Sequence, residues 1–256
     1  MISSDLSIPL VLATPLALLI ILGKKNLLAP EIARKLLHIC IGLSATTYPW
    51  IFTNPEQVWT VVMLLTLGLF AVRRVTILKY HLGKSIYSIR RKSYGELCFP
   101  TAIGILFSLA GDNKLLYLLP LFIATFADSL AALAGLYFGR RRYHSPDGRK
   151  TIEGSLVMFL VSSSCVIVAL KLQTSMSTQS VLLIAFNLAS MVTLVEAISW
   201  RGLDNLMIPL AAFYLLQAYL PLDSGELGAH ALMNCVFAGS MLAAQQYRPI
   251  ESRRRP

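Results

Sequence analysis

Asp128 lies inside an apolar run from Leu115 to Phe138, and Ala132, Gly135 and Gly139 follow it. A carboxylate at membrane depth costs several kcal/mol unless it is paired, metal-bound or wetted, so its position marks a place for chemistry. On a helix these four residues, at i, i+4, i+7 and i+11, share one face. Apart from the acid, that face carries almost no side chains, so another backbone or a phosphate chain can come close to it. Beyond Gly139 stand Arg140, Arg141 and Arg142, a turn at Ser145-Pro146-Asp147-Gly148, and then Arg149, Lys150, Thr151 and Glu153. An acid for a metal, a bare helix face and a cluster of cations are what a polyphosphate site requires.

Taken singly, each part has a plainer explanation. Small residues at helical spacing serve packing, three arginines mark a membrane boundary, and Asp128 can be a structural acid paired with a lysine. A second polar stretch, Leu194 to Leu210, carries Glu196, Arg201, Asp204 and Asn205. An ion pair of Arg201 with Glu196 or Asp204, closing two helices, accommodates those residues as well as a site does. Glu31, Arg34, Lys35 and His38 lie within two helical turns, so a Glu31–Lys35 pair is sterically allowed. They read either as a snorkelling interfacial anchor or as a contact to a lipid phosphate. Glu96 begins another apolar segment, where an acid also suits the helix dipole. The backbone N–H groups at Thr151 to Glu153 are available for phosphate oxygens at a helix start, with Lys150 adding a point charge.

These residues need elements to hold them. Hydrophobic residues make up 55% of the chain and charged residues 14%, against about 25% charged in soluble domains. The composition predicts an all-α, polytopic membrane bundle forming one domain over residues 1–256. Apolar runs suggest about nine spans, with seven also plausible: 6–23, 36–53, 57–72, 96–111, 115–138, 152–170, 180–199, 203–220 and 228–246. With that count, nearly every Lys and Arg falls on one side, and only Lys114 and Lys171 fall on the other. The positive-inside rule then places the N-terminus outside and the C-terminus in the cytoplasm. The first helix lacks a positive leader and is read as uncleaved; a bacterial-type plasma membrane or a photosynthetic membrane fits. The net charge of +10 comes in short clusters without a basic stripe, which argues against nucleic acid as a partner. The basic stretch 73–95, with Tyr80, Tyr87 and Tyr94, reads as a surface segment drawn to anionic lipid. Cys40, Cys98, Cys165 and Cys235 are scattered singly and read as small core residues.

The pattern Asp128-x-x-Ala131-x-x-x-Gly135-x-x-x-Gly139, a basic loop, then Lys150-Thr151-x-Glu153-Gly154 resembles the CTP-binding signature of dolichol kinases. It is also similar to a stretch in phytol and polyprenol kinases and to the first half of the phosphatidate cytidylyltransferase signature. The spacer after Gly139 is one residue longer than the dolichol kinase pattern, and Arg149 stands where that pattern has a lysine. EIARKLLHICIGL, with Arg34 and His38, and GELCFP, with Glu96, resemble segments of the same kinases. So does VEA…GLDN…P, with Trp200 in place of a proline. The resemblance covers about a third of the chain. It implies a kinase that uses CTP and Mg²⁺ to phosphorylate a long-chain isoprenoid alcohol drawn from membrane lipid. It also implies that Asp128, Glu196 and Asp204 hold metal. Gly135, Gly139, Arg149, Lys150, Thr151, Gly154 and Asn205 bind nucleotide, and Asp128, Glu153 or Lys150 takes part in the transfer.

A cytidylyltransferase making a CDP-activated lipid is the nearest rival. Its signature ends in an Asp-Arg-x-x-Asp pattern after a glycine, whereas Gly202 here precedes Leu203-Asp204-Asn205. A transporter for an anionic solute would also carry buried acids, but would move substrate without nucleotide turnover. The charge split makes one direct prediction. A single cysteine in the 140–150 loop of an otherwise cysteine-free variant should be labelled by an impermeant reagent only from the inside; labelling from outside intact cells would invert the topology.

Overall fold

The computed structural model describes residues 4–25, 29–78, 94–143, 145 and 150–246. The apolar runs form helices: α1 (Ser4–Lys25), α2 (Pro30–Thr46), α3 (Pro55–Arg74), α4 (Gly95–Ala110), α5 (Lys114–Tyr137), α6 (Ile152–Gln173), α7 (Thr178–Ile198), α8 (Asp204–Tyr219) and α9 (Ser224–Gln246). Among the described residues there is no strand; the nearest thing is an isolated bridge between Arg142 and Thr151. The fold is therefore all-α. Four helices, α3, α5, α6 and α7, are long and apolar enough to cross a membrane. The apolar segments of α1 and α4 are shorter, Val11–Ile21 and Leu97–Ala110. The expected span 36–53 is different in form. Its helix starts earlier, at Pro30, and stops at Thr46, before a short turn Tyr48–Ile51. Pro30 at the first helical position and Glu31 in the first turn set that earlier start. Most of the basic 73–95 stretch lies outside the described residues.

α5 is the centre of the bundle, with 67% of its apolar window buried against 22% for α6 and 44% for α7. It is packed by α2, α4, α6 and α8. Small residues allow this: Ala124, Ala127 and Ala131 are buried on α5, and Gly42 of α2 lies directly against Thr125, whose side chain a Cβ there would overlap. Ala33, Leu37, Ile41 and Ala45 make the buried stripe of α2 at four-residue spacing. Tyr117 donates from α5 to the Ala45 carbonyl at 2.9 Å, fixing the far end of that contact. α5 is not a uniform helix. It contains Pro120, which donates no N–H, and a π-helical turn at Ile123–Ala127 immediately before Asp128. Such turns displace carbonyls from the α-helical ladder and recur at functional sites.

At the opposite end, Asn187 of α7 donates to the Leu227 carbonyl and accepts from Asn234 of α9, each at 2.9 Å. This pins α9 to the bundle, in keeping with a structural last helix. Of the four cysteines only Cys98 is buried; Cys40 and Cys165 are half-buried and Cys235 is exposed. The core reading thus fails for Cys235, on a helix whose outer face also exposes Leu232 and Val236.

α5 and α6 also approach closely. A Cβ on Gly154 would sit 3.0 Å from the Ala131 carbonyl oxygen, and one on Gly139 would overlap the Gly135 carbonyl and reach Thr151 at 2.7 Å. Gly139→Ala should therefore destabilise the protein by about 1–3 kcal/mol, the usual range for overpacking. Gly68→Ala on α3, where nothing lies within 4 Å, should be neutral or mildly stabilising. Thermal unfolding of the two variants in one detergent measures the difference; equal midpoints would mean that the α5–α6 contact is not close-packed.

Candidate active site

Two buried charge clusters face one cavity of about 460 Å³ at one end of the bundle. The first joins α2 to α5. Lys35 Nζ donates to Asp128 Oδ2 at 2.6 Å and approaches the Asp128 backbone carbonyl at 3.4 Å. Both side chains are buried. His38, one turn on, donates from Nε2 to the Ala124 carbonyl in the π turn at 3.1 Å. Its ring stacks on Phe99 of α4 with centroids 3.7 Å apart, and Nε2 stands 3.9 Å from Asp128 Oδ2. The Glu31–Lys35 pair allowed by spacing does not form: Glu31 instead accepts from Arg34 at 2.6 Å, and Lys35 turns inward. A fully buried carboxylate without a cation would be far costlier than a half-buried Glu31 without one.

The second cluster joins the loop before α6 to the ends of α7 and α8. Lys150 Nζ donates to Glu196 Oε1 and lies 3.7 Å from Asp204 Oδ2. Burial disfavours the charged ammonium of Lys150, but Glu196 and Asp204 outweigh it and hold its pKa above the ordinary lysine value. The loop returns to the bundle through Ile152 N–H to Arg141 O at 3.0 Å, beside the Arg142–Thr151 bridge. The partner of Glu196 and Asp204 is thus Lys150, rather than the Arg201 that sequence proximity suggested. Arg201 and Gly202 both have left-handed backbones, φ 52° and 87°, and Arg201 O accepts from Tyr94 N–H at 2.7 Å. That tight turn sets Gly202, Asp204 and Asn205 on the cavity wall.

Most residues singled out from the sequence meet here. Asp128, Gly135, Gly139, Lys150, Thr151, Gly154, Glu196, Asp204, Asn205, Arg34 and His38 all line the cavity. Thr151 caps α6, its Oγ1 accepting from the Gly154 N–H at 3.1 Å, so that donor is already used. Glu153 is not among the lining residues; its carboxylate accepts from the Arg141 N–H at 3.2 Å. Of the three expected metal carboxylates, Glu196 and Asp204 converge on Lys150, while Asp128 is held by Lys35 on another wall. Arg149 lies outside the described residues, and so does the side chain of Glu96, whose backbone is the second residue of α4.

Phe99 and Arg73 also line the cavity and were not singled out as site residues from the sequence, while Lys35 and Arg142, which line it too, were read only within their charged segments. Lys35 was accessible: it flanks the stripe Ala33, Leu37 and Ile41, and a lysine on a buried face needs a buried acid. The lining holds five cations, Arg34, Lys35, Arg73, Arg142 and Lys150, against four acids, Glu31, Asp128, Glu196 and Asp204. Among the described residues no three His, Cys, Asp or Glu side chains cluster as a ready-made metal site. Glu196 Oε2, however, is buried without a hydrogen-bond partner, which is rare for a carboxylate oxygen. Mg²⁺ is usually bound through one or two carboxylates together with substrate phosphates, and Glu196 with Asp204 fits that donor set.

No family model matches the chain, and no solved structure matches it. A phytol kinase of Synechocystis sp. is 33% identical over 210 residues, a match covering 77% of this chain and 83% of that protein. A match of that identity over most of both chains settles the relationship: the chain belongs to the phytol kinase family.

Proposed function

We propose that this protein transfers the γ-phosphoryl group of CTP to the hydroxyl of a long-chain isoprenoid alcohol, phytol or a related prenol, at the cytoplasmic membrane face. Family membership supports the reaction class, and the resemblance of residues 127–154 to a CTP-binding signature supports the donor. The observation that carries the reading is that Lys150, Glu196 and Asp204 share one cavity with Lys35 and Asp128. Phosphoryl transfer is mostly positioning and charge neutralisation, and the cavity supplies both.

Lys150 and Arg142, with Gly135, Gly139 and Thr151 beside them, line the wall where a triphosphate can lie against bare backbone. Glu196 and Asp204 would hold Mg²⁺, which when bound would neutralise charge on the transferred phosphoryl group. Asp128, on the neighbouring wall, accepts the hydroxyl's hydrogen bond and then its proton as the new O–P bond forms. The bond from Pγ to the bridging oxygen breaks, and CDP leaves. Lys35, donating to Oδ2, holds the Asp128 carboxylate in place. Glu153, turned toward Arg141, is left with a structural role at the start of α6. The nine-span topology with the N-terminus outside brings every site-bearing helix end to the basic, cytoplasmic side.

The donor and metal are tested together. Purified protein given phytol should use CTP in preference to ATP and UTP, and excess EDTA should stop the reaction. Metal-independent turnover would remove the roles of Glu196 and Asp204, and a strong ATP preference would remove the CTP assignment. The carboxylates are tested singly and in pairs. Asp128→Asn, Glu196→Gln and Asp204→Asn should each lower kcat by roughly a hundredfold or more, about 3 kcal/mol of transition-state stabilisation. Glu196→Gln combined with Asp204→Asn should lose far less than the product of the single losses, because both act on one metal. Each preparation is checked to be folded at the assay temperature, because breaking a buried pair also lowers the unfolding midpoint; a folded Asp128→Asn protein with normal turnover would sink the mechanism.

A further inference from the structure

The lining of the cavity changes with depth. Its charges come from helix ends: Arg34 and Lys35 near the start of α2, Arg73 at the end of α3, and Asp204 at the start of α8. Its apolar residues lie further in: Leu37 and Ile41 on α2, Leu69 on α3, and Phe99 and Pro100 on α4. At the helical rise per residue, Ile41 is roughly 9 Å beyond Lys35, Leu69 about 6 Å inside Arg73, and Phe99 about 6 Å inside Gly95. All four of these large apolar residues are buried. α2 packs chiefly on α1 and α5, whereas α3 packs chiefly on α4, so the apolar floor lies along the seam between two packed units. Lys35, Asp128 and His38 mark the border, with His38 stacked on Phe99.

We propose that this floor between α2, α3 and α4 is the subsite for the first isoprene units of the acceptor's hydrocarbon tail. The inference rests on the alcohol-kinase reading and goes further in naming where the tail lies. A nucleotide base is a poor occupant, because its ring edges need hydrogen-bond partners and Leu37, Ile41 and Leu69 have none to offer; a buried polar edge without a partner is costly. A branched hydrocarbon needs no such partners. The floor also continues directly from the charged border, so a tail seated there leaves its hydroxyl beside Asp128. The outer face of α3, with Met63, Leu67 and Phe70 exposed, is apolar as well, so the tail can arrive from lipid without crossing a polar layer.

Two readouts test the subsite. Geranylgeraniol carrying a diazirine on its first isoprene unit should, on irradiation of the purified protein, label peptides from 30–46, 55–74 and 95–110. Ile41→Phe and Leu69→Phe narrow the floor, and Ile41→Ala and Leu69→Ala widen it. In the narrowed variants kcat/KM for geranylgeraniol should fall at least about tenfold more than for 3-methyl-2-buten-1-ol, the scale on which apolar pockets discriminate. The loss should appear in KM for the long prenol rather than in KM for CTP, and the widened variants should move the ratio differently. If the wild type phosphorylates prenols but the label falls only on other helices, the subsite is wrong and the kinase reading stands. An unchanged long-to-short ratio in folded narrowed and widened variants has the same meaning. Labelling of α2, α3 and α4 without transfer to any prenol would remove the kinase reading and keep the tail site.

Discussion

A charge inside an apolar bundle persists only opposite another charge, and removing one partner of a buried pair typically costs about 3–5 kcal/mol. Lys35 and Asp128 meet this condition across α2 and α5. Lys150, Glu196 and Asp204 meet it across the loop before α6 and the ends of α7 and α8. These pairs tie together five segments that would otherwise be joined mainly by non-directional apolar contact. They also define the cavity, since the same side chains line it. Under the proposed function stability and chemistry are thereby linked: an incoming polyphosphate with its metal would take up partners that already hold the bundle end together. Glu196 Oε2, buried and unpartnered, is where that exchange has the least to displace.

The backbone makes room for this arrangement. The π turn before Asp128 presents the Ala124 carbonyl to His38. The bare strip of Gly135, Gly139 and Gly154 brings α5 and α6 together beside the cavity. Thr151 takes the Gly154 N–H as its cap, which rigidifies the start of α6 next to Lys150. One end of the bundle is thus polar, closely approached and wide enough for a nucleotide-sized ligand, while the buried Asn187–Asn234 contact ties α9 to α7.

Much of this was legible in the sequence because membrane helices follow simple rules. Composition gave the all-α class, and the apolar runs gave the positions of the helices, though among the described residues four meet the length and hydropathy needed to span. The face shared by Asp128, Ala132, Gly135 and Gly139 does line the cavity, since helical periodicity is fixed by geometry. Partners were less legible. Spacing allowed Glu31 for Lys35, and Arg201 for Glu196 or Asp204, because spacing sees only neighbours along the chain. The observed partners are tens of residues away and are selected by burial, which sequence shows only indirectly. The orientation of Glu153 depended on where the 140–150 loop returns, and the π turn has no sequence signal beyond the nearby Pro120. The shortness of α2 follows from Pro49 and the turn around Tyr48, which an apolar count treats as continuous span.

The central claim is that one cavity holds donor and acceptor between the two charge clusters. A structure of the protein with Mg²⁺, phytol and a CTP analogue that resists β–γ cleavage tests it most directly. The account predicts the triphosphate against Lys150 and Arg142, the metal on Glu196 and Asp204, and the phytol hydroxyl beside Asp128. A nucleotide bound away from Lys150, or an alcohol seated on a different face of α5, would contradict it.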